Sequence, residues 1–190
     1  MKYVLYIGFC LVSLFAISCM SKTQVVPDSI KYEFINYLIH SNERIDLSGW
    51  KFMADRDTAN WASNKVGSIE FIEVFSDIEG FTKEDIAFMY KQYEEFVDFT
   101  FSANQIKDRL IISPGKWKGY SHEKYWDKIR EEYNTNKYFS LSMPLFSKDF
   151  LKVIIIVCDY DSYYGKRLGS YVYEKVDGKW TYFKQLHYED

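Results

Sequence analysis

The sequence is poor in the residues that usually announce a chemistry. Its 190 residues hold three cysteines, three histidines and three prolines. Cys10 and Cys19 lie in or beside an apolar N-terminal stretch, so a domain made from the remainder keeps Cys158 alone and closes no internal disulfide. His40, His122 and His187 fall on separate elements, with no His-x-x-x-His or Cys-x-x-Cys spacing, which leaves a zinc ion without a ligand set. A glycine-rich phosphate loop, a Gly-x-Ser-x-Gly elbow and a recognisable Ser-His-Asp spacing are all missing. No catalytic residue, metal or cofactor is therefore expected. Charge of one sign is lacking too: 24 Lys and Arg stand against 27 Asp and Glu, a net of -3 without a cationic cluster, and no nucleic-acid partner is expected. Without repeats or low-complexity tracts, a chain of this length reads as one domain.

Apolar residues, by contrast, make up 47% of the chain and aromatics 19%, ample for a packed core. Tyrosine alone occurs 17 times. A tyrosine carries a flat apolar ring with a polar tip, so it serves either a β-rich core or a sugar- or protein-recognition surface; core filling is the commoner use. Cys158 ends the apolar run Val153-Ile-Ile-Ile-Val-Cys158, which suits a buried, inert thiol better than a nucleophile in an exposed electropositive site.

The N-terminus speaks most clearly. Met1-Lys2 is a short positive start, Tyr3 to Phe15 carries no charge, and Ala16-Ile17-Ser18-Cys19 follows, the layout of a secretory signal. The stretch is short against the ~20 residues of a membrane span, and Ser21-Lys22-Thr23-Gln24 lacks a basic stop-transfer flank, so a retained helix is the second reading. Ala16 and Ser18 before Cys19 resemble the lipobox of bacterial lipoproteins, with Ala16 where that family more often has Leu. The resemblance implies cleavage before Cys19, a diacylglycerol on its thiol and an acylated new amine; ordinary signal cleavage at the same bond fits the same small residues. Each buried methylene adds about 0.8 kcal/mol, so several chains anchor a protein where one binds only marginally. Met20, in place of the Asp that marks inner-membrane retention in such proteins, implies the outer membrane. The boundaries expected are a leader at 1–18, a lipidated tether at 19–28 and one domain at 29–190.

Within that domain, Ser29 is expected to cap a helix placing Ile30, Phe34, Tyr37 and Leu38 on one face and ending at Asn42. Leu47 to Asn64 reads as irregular, with Trp50 and Trp61 as anchors, and Ser68 to Phe75 as a strand. Thr82-Lys-Glu-Asp85 approximates a capping box ahead of a helix with Ile86, Met89, Tyr93, Phe96 and Val97 on its apolar stripe. Arg109 to Ser113 reads as a short strand stopped by Pro114-Gly115, and Ser121 starts a helix carrying Tyr125, Trp126 and Ile129. Strands follow: Tyr138 to Met143 by alternation, then Phe150 to Tyr160, Ser170 to Val176 and Lys179 to His187, the last two joined by an Asp177-Gly178 turn. The expected fold class is α+β, with N-terminal helices packed on one face of a C-terminal antiparallel meander.

Ser140-Leu-Ser-Met-Pro-Leu-Phe-Ser-Lys-Asp149, the apolar strand after it and Gly178-Lys-Trp180 resemble a pattern found in small bacterial lipoproteins of uncharacterised function. The resemblance implies a shared scaffold in which Pro144 and Asp149 shape a hairpin, and it transfers no catalytic residue. Among candidate sites, Asp159, Tyr160, Asp161, Tyr163 and Tyr164 stand where a strand enters a glycine-containing loop, and suit either a sugar or calcium contact or plain turn chemistry. His122-Glu123 reads as a general-base pair or, more simply, as an acid complementing a helix N-terminus. Glu94-Glu95 points about 100° apart on a helix and reads as a solvated face. The function expected is a lipid-anchored, non-enzymatic envelope protein offering a surface to a protein or glycan. The alternative is a pocket-containing ligand-binding or hydrolytic domain on a nuclear-transport-factor-like or cystatin-like scaffold.

Overall fold

The computed structural model describes residues 24–41, 43, 45, 47, 50–53, 78–95, 101–107, 111–112, 117 and 119–189. Among these, three helices and seven strands form an α+β fold: α1 (Asp28–His40), β1 (Lys51–Met53), α2 (Lys83–Glu95), β2 (Ile111–Ile112), α3 (His122–Tyr133), β3 (Lys137–Leu141), β4 (Leu145–Phe146), β5 (Lys152–Asp161), β6 (Gly165–Val176) and β7 (Lys179–Glu189). The strands make one sheet in the order β2-β1-β3-β5-β6-β7, with β4 on the remaining part of the β5 edge. β3 to β7 pair antiparallel, whereas β1 runs parallel to both β2 and β3.

The long strand β5 explains the layering. Its buried run from Val153 to Cys158 is apolar at successive positions, and successive side chains point to opposite faces, so both faces need cover. Val153, Ile155 and Val157 join the cluster that holds Phe34, Ile35, Leu38 and Ile39 of α1. Ile154 joins a second cluster with Met89 of α2 and Val172 of β6. Beyond it on that same face, Tyr138 and Tyr160 pack with Trp126 and Ile129 of α3. The helices thus divide between the two faces rather than sharing one, and the parallel strands β1 and β2 extend the sheet past the expected meander.

Local chemistry accounts for most element ends. The Thr82 backbone N–H donates to Asp85 Oδ2 at 3.0 Å while the Asp85 N–H donates to Thr82 Oγ1 at 3.1 Å, a reciprocal cap that opens α2. Ser121 Oγ accepts from the Lys124 N–H ahead of α3. Asp177 at φ 50° and Gly178 at φ 77° give the β6–β7 turn its two left-handed residues. Two expectations differ. Ser29 is not the cap of α1, because Pro27, extended at ψ 141°, precedes the first turn and its carbonyl takes the N–H groups of Ile30 and Lys31; the helix ends at Ser41. Within the stretch read as irregular, Lys51–Met53 is a strand, with Phe52 fully buried between Ile111 and Phe139. Three residues carry too little period to announce a strand whose partners lie 59 and more residues away. Ser68 to Phe75, Trp61, Phe96, Val97 and Pro114-Gly115 lie outside the described residues.

The edge of β4 shows how the sheet stops. Gln92, buried on α2, donates through Nε2 to the Phe146 carbonyl at 2.7 Å and accepts the Phe146 N–H on Oε1 at 3.0 Å, so one side-chain amide closes both backbone groups of an edge residue.

Candidate aromatic cleft

The β5–β6 hairpin, the start of α3 and the turn before it enclose a cleft of about 450 Å³. Its lining is aromatic: Trp117 and Tyr120 from the turn, Tyr125 and Trp126 from α3, Tyr138 from β3 and Tyr160 from β5. His122, Asp161 and Lys166 supply the polar part, with Gly119 and Gly165 between them. Gly119 lies at φ 94°, the left-handed region open to glycine, and this lets the chain turn so that the Tyr120 N–H reaches the Trp117 carbonyl at 3.1 Å.

Register dictates which strand residues arrive here. Tyr138 pairs with Tyr160, and Tyr160 with Lys166, so all three stand on the α3 face at the same end of the sheet. The Tyr138 and Tyr160 rings stack at 4.7 Å and 22°, and Trp126 leans on Tyr138 at 5.4 Å. The Tyr125 and Tyr138 hydroxyls are 2.8 Å apart. Burial is the main cause that pushes the Tyr138 and Tyr160 phenols far above their ordinary value, so both remain neutral hydroxyls. His122 Nε2 accepts the Trp126 indole N–H at 3.1 Å, which holds the imidazole at the mouth of the cleft. Asp161 Oδ1 accepts the Tyr163 N–H at 2.8 Å and so closes the hairpin turn while lining the cleft.

The five candidate loop residues are thus separated. Tyr160 and Asp161 line the cleft; Asp159, one position away in a strand, lies on the opposite face and grips Arg167 through Oδ1 at 3.3 Å and Oδ2 at 2.5 Å. Tyr163 and Tyr164 occupy the hairpin tip, each 80% exposed. Glu123 is exposed in the first turn of α3, and Glu94 is exposed on α2. His40 Nδ1 lies 2.6 Å from the Asn36 carbonyl at the far end of α1. Cys158 is a buried free thiol whose pKa burial raises. Among the described residues no group of three or more His, Cys, Asp and Glu side chains is placed to hold a metal ion. Cys19 lies outside the described residues, and no helix among them is long and apolar enough to cross a membrane.

Most of the cleft was missed in the sequence. Tyr125 and Trp126 read there as residues of a short amphipathic helix, and Trp117, Tyr120 and Lys166 belong to no expected site. The available signal was four aromatic residues between 117 and 126 with a glycine among them. Chemically, flat rings with hydroxyl, carboxylate, ammonium and imidazole groups at the margin can stack a ligand ring and fix its polar edge. No family model, curated protein or solved structure matches this chain.

Proposed function

We propose that this protein is a lipid-anchored component of the bacterial envelope, held in the outer membrane through Cys19, that binds a glycan in the aromatic cleft without transforming it. The observation that carries the reading is the lining itself: among the described residues, six aromatic side chains surround about 450 Å³ together with three ionisable side chains besides the tyrosines. A sugar ring offers C–H faces that stack on tyrosine and tryptophan, and a rim of hydroxyls that suits Asp161, Lys166 and the tyrosine hydroxyls. Tyr163 and Tyr164 stand at the hairpin tip next to Asp161, where a longer chain leaving the cleft would meet them.

Binding is favoured over glycoside hydrolysis because the described lining holds one carboxylate, Asp161, where that chemistry ordinarily uses a pair, and its acid–base candidates also serve the fold. His122 Nε2 receives the Trp126 indole and Asp161 Oδ1 receives a turn N–H. An array of envelope-type glycans probed with the lipidated protein tests the cleft: retention of saccharides and indifference to peptides is the expected result, and the reverse would refute it. The anchor has a separate test. Labelled palmitate should enter the wild-type protein and not Cys19→Ala, and equal labelling of both would defeat it.

A further inference from the structure

The cleft and the root of the tether occupy opposite ends of the sheet. Gln24 donates to the Lys148 carbonyl at 2.9 Å, beside the turn that leads into β5, and Val26 is buried in the α1 cluster. The cleft lies at the other end of β5, a strand of ten residues and roughly 30 Å, where Tyr160 and Asp161 line it. Only four residues lie between Cys19 and Gln24, five steps with a reach of about 17 Å at most.

The root end also exposes apolar side chains. Val25 is 56% exposed beside Gln24, Leu151 47% in the turn into β5, and Val176 47% at the end of β6; the Lys175 N–H on the Leu151 carbonyl brings the last two elements together. The exposed Lys148 and Lys179 share this end with the exposed Asp149 and Asp177, and Asp149 Oδ1 is taken by Ser147 Oγ and the Leu151 N–H. Lys83 and Glu84, exposed beside the Asp85 that accepts the Lys148 N–H, add one charge of each sign, so the apolar side chains are what would favour a bilayer at this end.

We propose that this end, carrying Val25, Leu151 and Val176, lies against the membrane that holds the Cys19 lipid, and that the cleft consequently opens away from it toward a glycan on the far side. The proposal rests on the lipid anchoring argued above. A short tether alone would let the domain lie on its side; three apolar contacts at its root favour the upright posture.

The test uses the full acylated protein on liposomes carrying a nitroxide-labelled phospholipid. Cys158 is buried, so one fluorophore can be placed on Leu151→Cys or on Tyr164→Cys. Quenching at least fivefold stronger at 151 than at 164 is expected. Equal quenching, or stronger quenching at 164, would overturn the orientation. The double variant Leu151→Asp, Val176→Asp, read from a fluorophore on Lys148→Cys, should lose most of that quenching while still floating with the liposomes; undiminished quenching would remove the apolar contacts from the explanation. Failure of the wild type to float would refute the anchoring itself, and the orientation with it.

Discussion

Two groups of aromatic rings in this molecule are built from the same residue types and put to opposite uses. Under α1, Phe34 meets Tyr173 at 5.4 Å, Trp180 at 5.1 Å and Phe146 at 6.1 Å, each edge to face, and all four residues are buried. On the other face Trp126, Tyr138 and Tyr160 are also packed ring to ring, yet with Trp117, Tyr120 and Tyr125 they border open space. The difference lies in cover. A whole helix seats its apolar side on the first group, whereas only the start of α3 and a glycine turn frame the second. An aromatic cluster becomes a candidate binding surface where part of it stays open: Trp117, Trp126 and Tyr138 are buried, whereas Tyr120 is 43% exposed and Tyr125 and Tyr160 are half-buried, and tyrosine count alone cannot say where that happens.

The largest expected effect probes the closed group. Phe34→Ala removes a fully buried ring and should cost about 3–5 kcal/mol in denaturant unfolding. While the variant remains folded, its cleft should bind as before; a cost under about 1 kcal/mol would mean that this face is not the main core. Gln92→Leu comes next, since it strands a buried N–H and C=O of Phe146, and a loss of about 2 kcal/mol is expected from the same measurement.

Asp85 sharpens the contrast at the end opposite the cleft. Burial raises its pKa, but the backbone N–H groups of Thr82 and Lys148, the Thr82 hydroxyl and the nearby Lys152 outweigh burial and leave it below the ordinary carboxylate value. A depressed folded pKa means stability that is fully present above the unfolded value of about 3.9 and lost as pH falls through the folded one. Asp85→Asn should therefore cost about 1 kcal/mol at neutral pH and make the acid limb of unfolding shallower below about pH 4. An unchanged acid limb would contradict the assignment. Tyr120→Ala, at the exposed rim of the cleft, should change unfolding by less than about 0.5 kcal/mol.

How much was legible in the sequence follows the range of the interactions. The Thr82–Asp85 cap, the Ser121 cap and the Asp177-Gly178 turn are contacts within a few residues, and their residue types state them directly. The antiparallel strands β3, β5, β6 and β7 were legible because apolar runs and turns recur there at short spacing, whereas the two residues of β4 are too few to show a period. β1 was not, since Phe52 gains its place only from Ile111 and Phe139 far along the chain. The division of helices between faces was half visible in the unbroken apolar run of β5, which no single covered face explains. The loop from Asp159 to Tyr164 marked the right end of the molecule, but period-two geometry sends Asp159 to Arg167 and Tyr160 to the cleft, while Asp161 lines the cleft from the last position of β5, where the strand enters the turn. Tyr125 and Trp126 read as part of an amphipathic helix because a buried stripe and a cleft wall share one pattern until the cover is known, and Trp117 and Tyr120 belong to no periodic segment that would single them out.

The central claim is that the rings of this cleft hold a saccharide, and tryptophan emission reads it directly because Trp117 and Trp126 line the cleft. Titration of the full chain with an envelope-type oligosaccharide should give a saturable change in emission, weakened about tenfold by Tyr120→Ala, the equivalent of ~1.4 kcal/mol of lost stacking, with the unfolding midpoint unmoved. A saturable signal of equal affinity in wild type and Tyr120→Ala, or no signal across the saccharides tried, would contradict it.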